Sequence, residues 1–290
     1  MSDLPAPEAV PQSRERYLIL ALLLLLTLAA WAFLLWAPLP MQTAGDMGLT
    51  MGLSGSLFLV IWVVMMVAMM FPSAAPMILM FSKIYAGKRQ QGRSFVPTWI
   101  FAGAYLLIWV VFGVIAYGAA LAVGALAQTW PWLSDNAGRV GGVLLLLGGL
   151  YQLSPFKAVC LAKCRTPLGF ILGSWRSGYW GSFRMGLDHG LYCLGCCWLL
   201  FVILFPLGIM NVAAMAVLAL LIYAEKVLPA GRRIAQVAAV ALVAYGLLVI
   251  VAPGTLPTLS PAMPMSSAMS TPLPALSPPM PELPTAMPMP

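Results

Sequence analysis

Residues 98–127 have the sequence TWIFAGAYLLIWVVFGVIAYGAALAVGALA, in which 30 consecutive positions carry no charged side chain. About 20 apolar residues in an α-helix are enough to cross the hydrocarbon core of a bilayer. A backbone inside lipid must satisfy its own hydrogen bonds, so runs of this length favour helices over a barrel. The segment therefore predicts a transmembrane helix with residues to spare, and with tilt or a shortened end.

The whole chain has the composition that this stretch suggests. Of its 290 residues, 62% are hydrophobic and only 8% are charged, which a soluble domain with a charged surface cannot accommodate. The formal charge of +7 comes from Lys and Arg in short loops, so it does not indicate a nucleic-acid partner. A phosphate-binding glycine-rich loop is also missing from the sequence, which argues against a nucleotide. The expected surroundings are a lipid bilayer.

Hydropathy predicts an all-α, polytopic transmembrane helix bundle of about seven spans. The apolar run that begins at Tyr17 and ends near Trp36 is interpreted as a retained helix, because it lacks a signal-peptide cleavage site. The second span meets Pro72 and Pro76, which predicts a kink or a break. The predicted spans are roughly 17–37, 53–71, 98–127, 138–154, 186–205, 209–225 and 233–252.

The distribution of basic residues predicts the orientation of these spans. Lys and Arg cluster before span one and in alternate loops after it, with Arg139 as the exception. Since basic residues stay on the cytoplasmic side, the N-terminus is expected in the cytoplasm and the C-terminus in the periplasm. Glu225 and Lys226 are interpreted as an interfacial anchor whose side chains snorkel to the headgroups. The expected location is a bacterial inner (cytoplasmic) membrane, crossed several times.

Three regions follow from this pattern. Residues 1–16 form a cytoplasmic N-terminal segment, and residues 17–252 form the transmembrane helical domain. Residues 253–290 consist mainly of Pro, Met, Ser, Thr and Ala with Glu282 as the one charge, so a disordered periplasmic tail is expected.

The chemistry of the chain is concentrated in Gly186–Trp198, which holds the only histidine and three of the five cysteines. At about 100° per residue, five side chains share one helix face. Thiolates with an imidazole suit Cu(I) or Zn(II), and Cu(I) is favoured here over Zn(II) as the bound metal ion. The residues of this face are His189, Cys193, Cys196 and Cys197, with Met185 as a secondary candidate ligand.

The other two cysteines, Cys160 and Cys164, lie in the predicted cytoplasmic loop before that helix. Their spacing of four puts both sulfurs on one side of a helical turn. They are candidate metal ligands that receive metal, form a second site or complete the site on the neighbouring helix. Two incidental loop cysteines remain the alternative.

Methionines supply a third group of sulfur atoms. Those before Pro72 suit a helix interface as flexible filler, and they are secondary candidate ligands. Those in the tail have no core to fill, and thioethers bind Cu(I) without forming disulfides. The secondary candidates are Met65, Met66, Met69 and Met70 before the proline, and Met263, Met265 and Met269 in the tail.

These motifs together resemble a bacterial family of unknown function described as predicted metal-binding integral membrane proteins. The resemblance rests on residues 64–77, on 157–167, on the run with Cys-Leu-Gly-Cys-Cys-Trp198, and on Ala224-Glu-Lys226, and it covers approximately residues 50–230. It implies metal binding in a membrane. Lys163 stands where the family pattern often has a histidine between two cysteines, and this departure weakens the case for Cys160 and Cys164 as ligands.

The leading hypothesis is a membrane protein that handles Cu(I) by transfer, efflux or delivery to a copper enzyme, with a metal-donor or metal-acceptor protein as partner. The alternatives are a membrane scaffold or assembly subunit with structural cysteines, and a membrane thiol oxidoreductase. One histidine and few carboxylates leave little acid–base machinery, so an enzyme is not expected unless it performs thiol redox chemistry.

Overall fold

A computed structural model of the chain describes residues 12–36, 50, 52–90, 97–209 and 211–257. Every regular element in these residues is helical, which confirms the all-α prediction. The tail from 261 onwards and its methionines, Met263, Met265 and Met269, lie outside the described residues. The helices are α1 (Gln12–Trp36), α2 (Gly55–Gln90), α3 (Thr98–Thr129), α4 (Pro131–Asp135), α5 (Ala137–Gln152), α6 (Pro155–Arg165), α7 (Pro167–Gly173), α8 (Gly178–Val202), α9 (Leu204–Leu207), α10 (Val212–Val227) and α11 (Gly231–Val251), followed by a 3₁₀ turn (Pro253–Thr255).

Helix length and composition give the number of membrane spans that the described residues support. Five helical segments, within α1, α2, α3, α8–α9 and α11, are long and apolar enough to cross a membrane. Helices α5 and α6 are bent by 61°, and as one broken span they would raise the number to six. The predicted sixth span corresponds to α10, which has only 16 residues. The predicted number of seven is therefore not supported, and the orientation of the termini stays a prediction.

Two helices form the centre of the bundle. In the most apolar windows of α2 and α8, 61% and 50% of the positions are buried, against 22% in each of α1, α3 and α11. The outer helices expose large apolar side chains, such as Leu25 on α1, Ile115 on α3 and Val237 on α11. Apolar outer surfaces of this extent are expected in contact with lipid.

Helix α2 runs through both prolines as one continuous helix, so of the predicted kink or break the break does not occur. Because Pro72 has no N–H, it cannot donate to the carbonyl oxygen of Ala68 one turn earlier. The indole Nε1–H of Trp31 on α1 donates to that oxygen at 3.1 Å. A neighbouring helix thus satisfies the carbonyl that the proline leaves free, as a backbone in an apolar environment requires.

Small residues let the helices approach closely. A Cβ atom on Gly142 of α5 would lie 2.9 Å from the carbonyl oxygen of Gly246 on α11. On α8, a Cβ on Gly186 would overlap the carbonyl oxygen of Phe101 on α3, and one on Gly190 would lie 2.8 Å from Ile108. Close approach through glycines is a common packing mode of membrane helices. The pairs α5–α11 and α3–α8 are fixed in this way.

The segment between α5 and α8 consists of residues 153–177. It forms two short helices, α6 and α7, each begun by a proline at its first position. The hydroxyl of Ser154 caps α6 by accepting from the N–H of Lys157 at 3.1 Å. Helix α6 packs against α8 and α10, so its cysteines face the helix that carries the other three.

Candidate metal site: a buried thiol cluster

The predicted sulfur-rich face of α8 is turned into the protein. Met185, His189, Cys193, Cys196 and Cys197 are at most 3% exposed, which agrees with five side chains on one helix face. The aromatic and aliphatic side chains between them include Leu191, which is 56% exposed. Helix α8 therefore buries its sulfur-rich face and exposes apolar side chains on the opposite side.

Four sulfur atoms from two helices meet at this face. The Sγ atoms of Cys196 and Cys197 are 3.2 Å apart, and the Cys196 thiol donates to the carbonyl oxygen of Cys193 at 3.1 Å. The thiol of Cys164, on α6, lies beside this face, near Cys193 and Cys196. We call Cys164, Cys193, Cys196 and Cys197 the thiol cluster. None of the five cysteines forms a disulfide.

Two further polar groups contact Cys193. The ammonium group of Lys226, on α10, donates to the Cys193 Sγ at 2.9 Å and to the Ser73 hydroxyl at 3.4 Å. The Tyr105 hydroxyl, on α3, lies 3.1 Å from the same sulfur. A donor with a full positive charge makes its strongest bond to a sulfur that carries negative charge. Cys193 is thus the sulfur of the thiol cluster that contacts both a lysine and a tyrosine side chain.

Glu225, which precedes Lys226 in the sequence, binds other partners than Lys226. Glu225 accepts from the Lys157 ammonium at 2.6 Å and from the Gln152 amide at 2.9 Å. Arg165 donates to the backbone carbonyl of Glu225 at 2.8 Å, which joins α6 to the end of α10. Glu225 and Lys226 are 1% and 7% exposed, so the predicted snorkelling anchor is wrong.

His189 lies among aromatic rings rather than among sulfur atoms. Its ring centroid is 5.4 Å from that of Tyr105, 5.9 Å from Phe101 and 5.5 Å from Phe170. Its Nδ1 atom is buried without a hydrogen-bond partner in the described part of the chain. A buried nitrogen without a partner is costly, so this atom marks His189 as a residue that packing alone does not explain.

Cys160 and Cys164, predicted as a pair, have different surroundings. Cys164 joins the thiol cluster. The Cys160 Sγ instead packs against Gly195 of α8, where a Cβ atom would lie 2.8 Å from the sulfur. Both thiols are partly exposed. Because Gly195 lies between Cys193 and Cys196, Cys160 approaches the cluster from its side without belonging to it.

The methionines of α2 and α8 that were predicted as secondary ligands lie in the core. Met65, Met66, Met69 and Met70 on α2 are at most 1% exposed and belong to the main hydrophobic cluster, as Met185 does. Such burial is typical of methionine as a filler of helix interfaces.

A ready-made metal cage is not present among the residues that the structure describes: no group of three or more His, Cys, Asp and Glu side chains is arranged to hold an ion. The buried thiols are instead held by the contact of Cys196 with Cys197, by the bond of Cys196 to the Cys193 carbonyl and by the bond of Lys226 to Cys193. Sequence reasoning missed Lys226 and Tyr105 as parts of this site. The Ala224-Glu-Lys226 motif was a signal for the first, whereas the sequence offers none for Tyr105.

These observations define a class, namely a helical protein with several apolar, membrane-length helices and sulfur atoms gathered at its centre. The chain belongs to the copper chaperone family PpoB2, whose family model matches residues 59–249. The match includes the thiol cluster, His189 and Lys226 but not α1. Neither the curated proteins nor the solved structures include a significant match. Membership of this family agrees with the predicted copper handling and with a role that is not enzymatic.

Proposed function

We propose that this chain is an integral membrane copper chaperone whose cargo, Cu(I), is held by sulfur atoms of the thiol cluster. The observation that carries the proposal is the burial of Cys193, Cys196 and Cys197 on one face of α8, with the partly exposed Cys164 of α6 near them. Cysteine also packs as a small hydrophobe, but packing does not require four thiols to meet beside an ammonium group.

Sulfur chemistry favours copper over the alternatives. Cu(I) is a soft ion that suits thiolates, and the matched family is one of copper chaperones. His189, with its free Nδ1 on the same helix face, is the accessory donor in this proposal. Zn(II) is the second metal that this set of ligands could accept.

A route for the metal follows from the position of Cys160. Its partly exposed sulfur lies against Gly195, between two cysteines of the cluster, so an ion bound there is close to its next ligand. We propose that Cu(I) passes from a donor protein to Cys160 and then into the cluster by exchange of thiolates. An acceptor protein takes the ion from the cluster, and the methionines of residues 253–290 offer thioethers for that delivery.

The arrangement in the membrane is part of the proposal. Residues 1–16 lie in the cytoplasm, residues 17–252 form the membrane domain, and residues 253–290 lie in the periplasm of a bacterial inner membrane. The apolar outer faces of α1, α3 and α11 support this placement.

The test is the metal content of anaerobically purified full-length protein, loaded with Cu(I) and freed of excess metal. The variant has serine at all four positions of the thiol cluster, and the matched control is Ser182→Ala, which changes a buried hydroxyl of α8 and keeps every cysteine. Stoichiometric copper in wild type and control, lost in the quadruple variant, is expected. Equal and negligible copper in all three would refute the proposal and favour a scaffold or a thiol oxidoreductase.

His189→Gln, examined in the same way, separates the accessory donor from the sulfurs. We expect stoichiometric copper with a weaker affinity, because the four thiols remain. An unchanged affinity would remove His189 from the site and leave a cluster of sulfurs alone.

A further inference from the structure

Lys226 is a buried cation whose charge is not paired with a carboxylate in the described part of the chain. Its side chain is 7% exposed, and its ammonium group donates to the sulfur of Cys193 and to the hydroxyl of Ser73. The nearest carboxylate in sequence, Glu225, is bound to Lys157 and Gln152. A buried charge without a counter-charge is costly, and the group in contact with Lys226 that can supply negative charge is the Cys193 sulfur.

The net charge of the thiolates together with the bound metal depends on the charge of the metal ion. Cu(I) bound by two thiolates forms a group with a net charge of about −1. The ammonium of Lys226, at +1, makes the loaded site neutral. A divalent ion on the same two thiolates, with Lys226 beside it, leaves the site with an excess positive charge, which burial among apolar side chains disfavours.

We propose that Lys226 is the fixed counter-charge of the metal site and the residue that makes it selective for a monovalent ion. This inference rests on the proposed function, in which the thiol cluster binds Cu(I). Lys226 acts through electrostatics and through its hydrogen bond to Cys193, and it is not itself a ligand, because an ammonium group has no lone pair to donate.

The geometry allows the ammonium group to remain in place when the metal is bound. A thiolate sulfur has several lone pairs, so Cys193 can accept from Lys226 and ligate an ion at the same time. The Ser73 hydroxyl and the 2.9 Å bond to Cys193 hold the lysine at this position, and the ion pair of Glu225 with Lys157 keeps the adjacent carboxylate away from it. The pairing of Lys226 with sulfur is thus built into the fold.

The experiment compares the affinities of the full-length protein for Cu(I) and for Cd(II), each measured by competition with a chromophoric chelator in detergent without oxygen. Lys226→Met keeps the length of the side chain and removes its charge. We expect it to weaken Cu(I) binding about 10- to 100-fold, the value of a hydrogen bond to a charged group, with Cd(II) binding unchanged or tighter. Lys226→Arg keeps the charge and is expected to retain the preference for Cu(I).

A loss of Cu(I) affinity in Lys226→Arg equal to that in Lys226→Met would show that packing, and not charge, matters at this position. An unchanged ratio of the two affinities in Lys226→Met would also overturn the inference. Both outcomes leave the proposed function intact, provided that the wild type binds Cu(I) and the quadruple serine variant does not. A wild type that binds no Cu(I) overturns both proposals.

A second pair of variants tests the charge without changing Lys226. Ser73→Asp places a carboxylate beside the ammonium group and cancels its charge, whereas Ser73→Asn has nearly the same size without charge. We expect Cu(I) affinity to fall in Ser73→Asp and to stay within a few fold of wild type in Ser73→Asn. Equal affinities in the two variants would contradict the proposal even if Lys226→Met did not fold.

Discussion

The Nζ atom of Lys157 lies 2.6 Å from the Oε2 atom of Glu225, and both side chains are only 1% exposed. This ion pair joins α6, which carries Cys160 and Cys164, to the end of α10, which carries Lys226. Because Gln152 completes the set by donating to Oε1, the carboxylate has a partner for each oxygen. The ion pair therefore fixes the position of α6, which carries Cys164, relative to the end of α10, which carries Lys226.

Breaking this pair should destabilise the protein strongly. Glu225→Gln leaves the ammonium of Lys157 buried without a counter-charge, for which about 3–5 kcal/mol is expected. The double variant Lys157→Met with Glu225→Leu removes both charges and is expected to recover most of that loss. Thermal unfolding in detergent measures the stability of the single and the double variant. A double variant as unstable as Glu225→Gln would show that the pair matters for its shape and not for its charge.

The bond between Trp31 and the carbonyl of Ala68 gives a second prediction. Trp31→Phe removes the only donor that the described contacts give to this oxygen, and a loss of about 0.5–1.5 kcal/mol is expected for the hydrogen bond. Pro72→Ala restores an N–H that can bond to the same oxygen within α2.

The comparison of the two backgrounds isolates the hydrogen bond from the change in volume. Trp31→Phe should cost less stability when residue 72 is alanine than when it is proline, and unfolding curves of the four proteins in one detergent provide the cycle. The same cost in both backgrounds would mean that Trp31 stabilises the protein by packing alone.

Much of the fold followed from hydropathy, and the errors have physical reasons. The runs at 98–127 and 233–252 predicted α3 and α11 closely, because a helix in lipid needs little beyond length and apolarity. The break expected at Pro72 does not occur, since Trp31, 37 positions away in the sequence, supplies the missing donor. The predicted number of seven spans is not supported, because α10 is apolar but has only 16 residues.

The site was only partly readable from the sequence. The helix period placed His189, Cys193, Cys196 and Cys197 on one face, and all four are buried there. The period could not show that Cys164 joins the sulfurs while Cys160 does not, because that depends on how α6 crosses α8. It also could not show that a lysine counted among the loop charges enters the core, since its partner is a thiol and not a carboxylate.

Cys160 packs so closely on α8 that position 195 is predicted to require glycine. A Cβ at this position would lie 2.8 Å from the Cys160 Sγ, closer than real Cβ contacts, so Gly195→Ala should destabilise the protein by about 1–3 kcal/mol. Gly118→Ala on α3 is the matched control, since nothing lies within 4 Å of its Cβ position. Thermal unfolding should show a loss for the first variant and none for the second.

Adding Cys160→Ala to Gly195→Ala removes the sulfur that the new methyl group meets. We expect the double variant to regain most of the lost stability, because the overlap involves one side-chain atom and not the backbone. A double variant that stays as unstable as Gly195→Ala would place the strain elsewhere on α8, for example at the contact of Tyr151 with the Gly195 carbonyl.

The last prediction concerns the route by which copper reaches the cluster. If Cys160 receives the ion before the thiol cluster does, Cys160→Ser should slow loading from a Cu(I)–glutathione complex about tenfold, the effect of about 1.4 kcal/mol on a barrier. The final stoichiometry should not change, because the sulfurs of Cys164, Cys193, Cys196 and Cys197 remain. Stopped-flow mixing followed by metal analysis separates the rate from the stoichiometry, and Ser182→Ala is the control. Loading at the wild-type rate would restrict Cys160 to packing against Gly195, so that the ion must enter through Cys164, the other partly exposed thiol of α6.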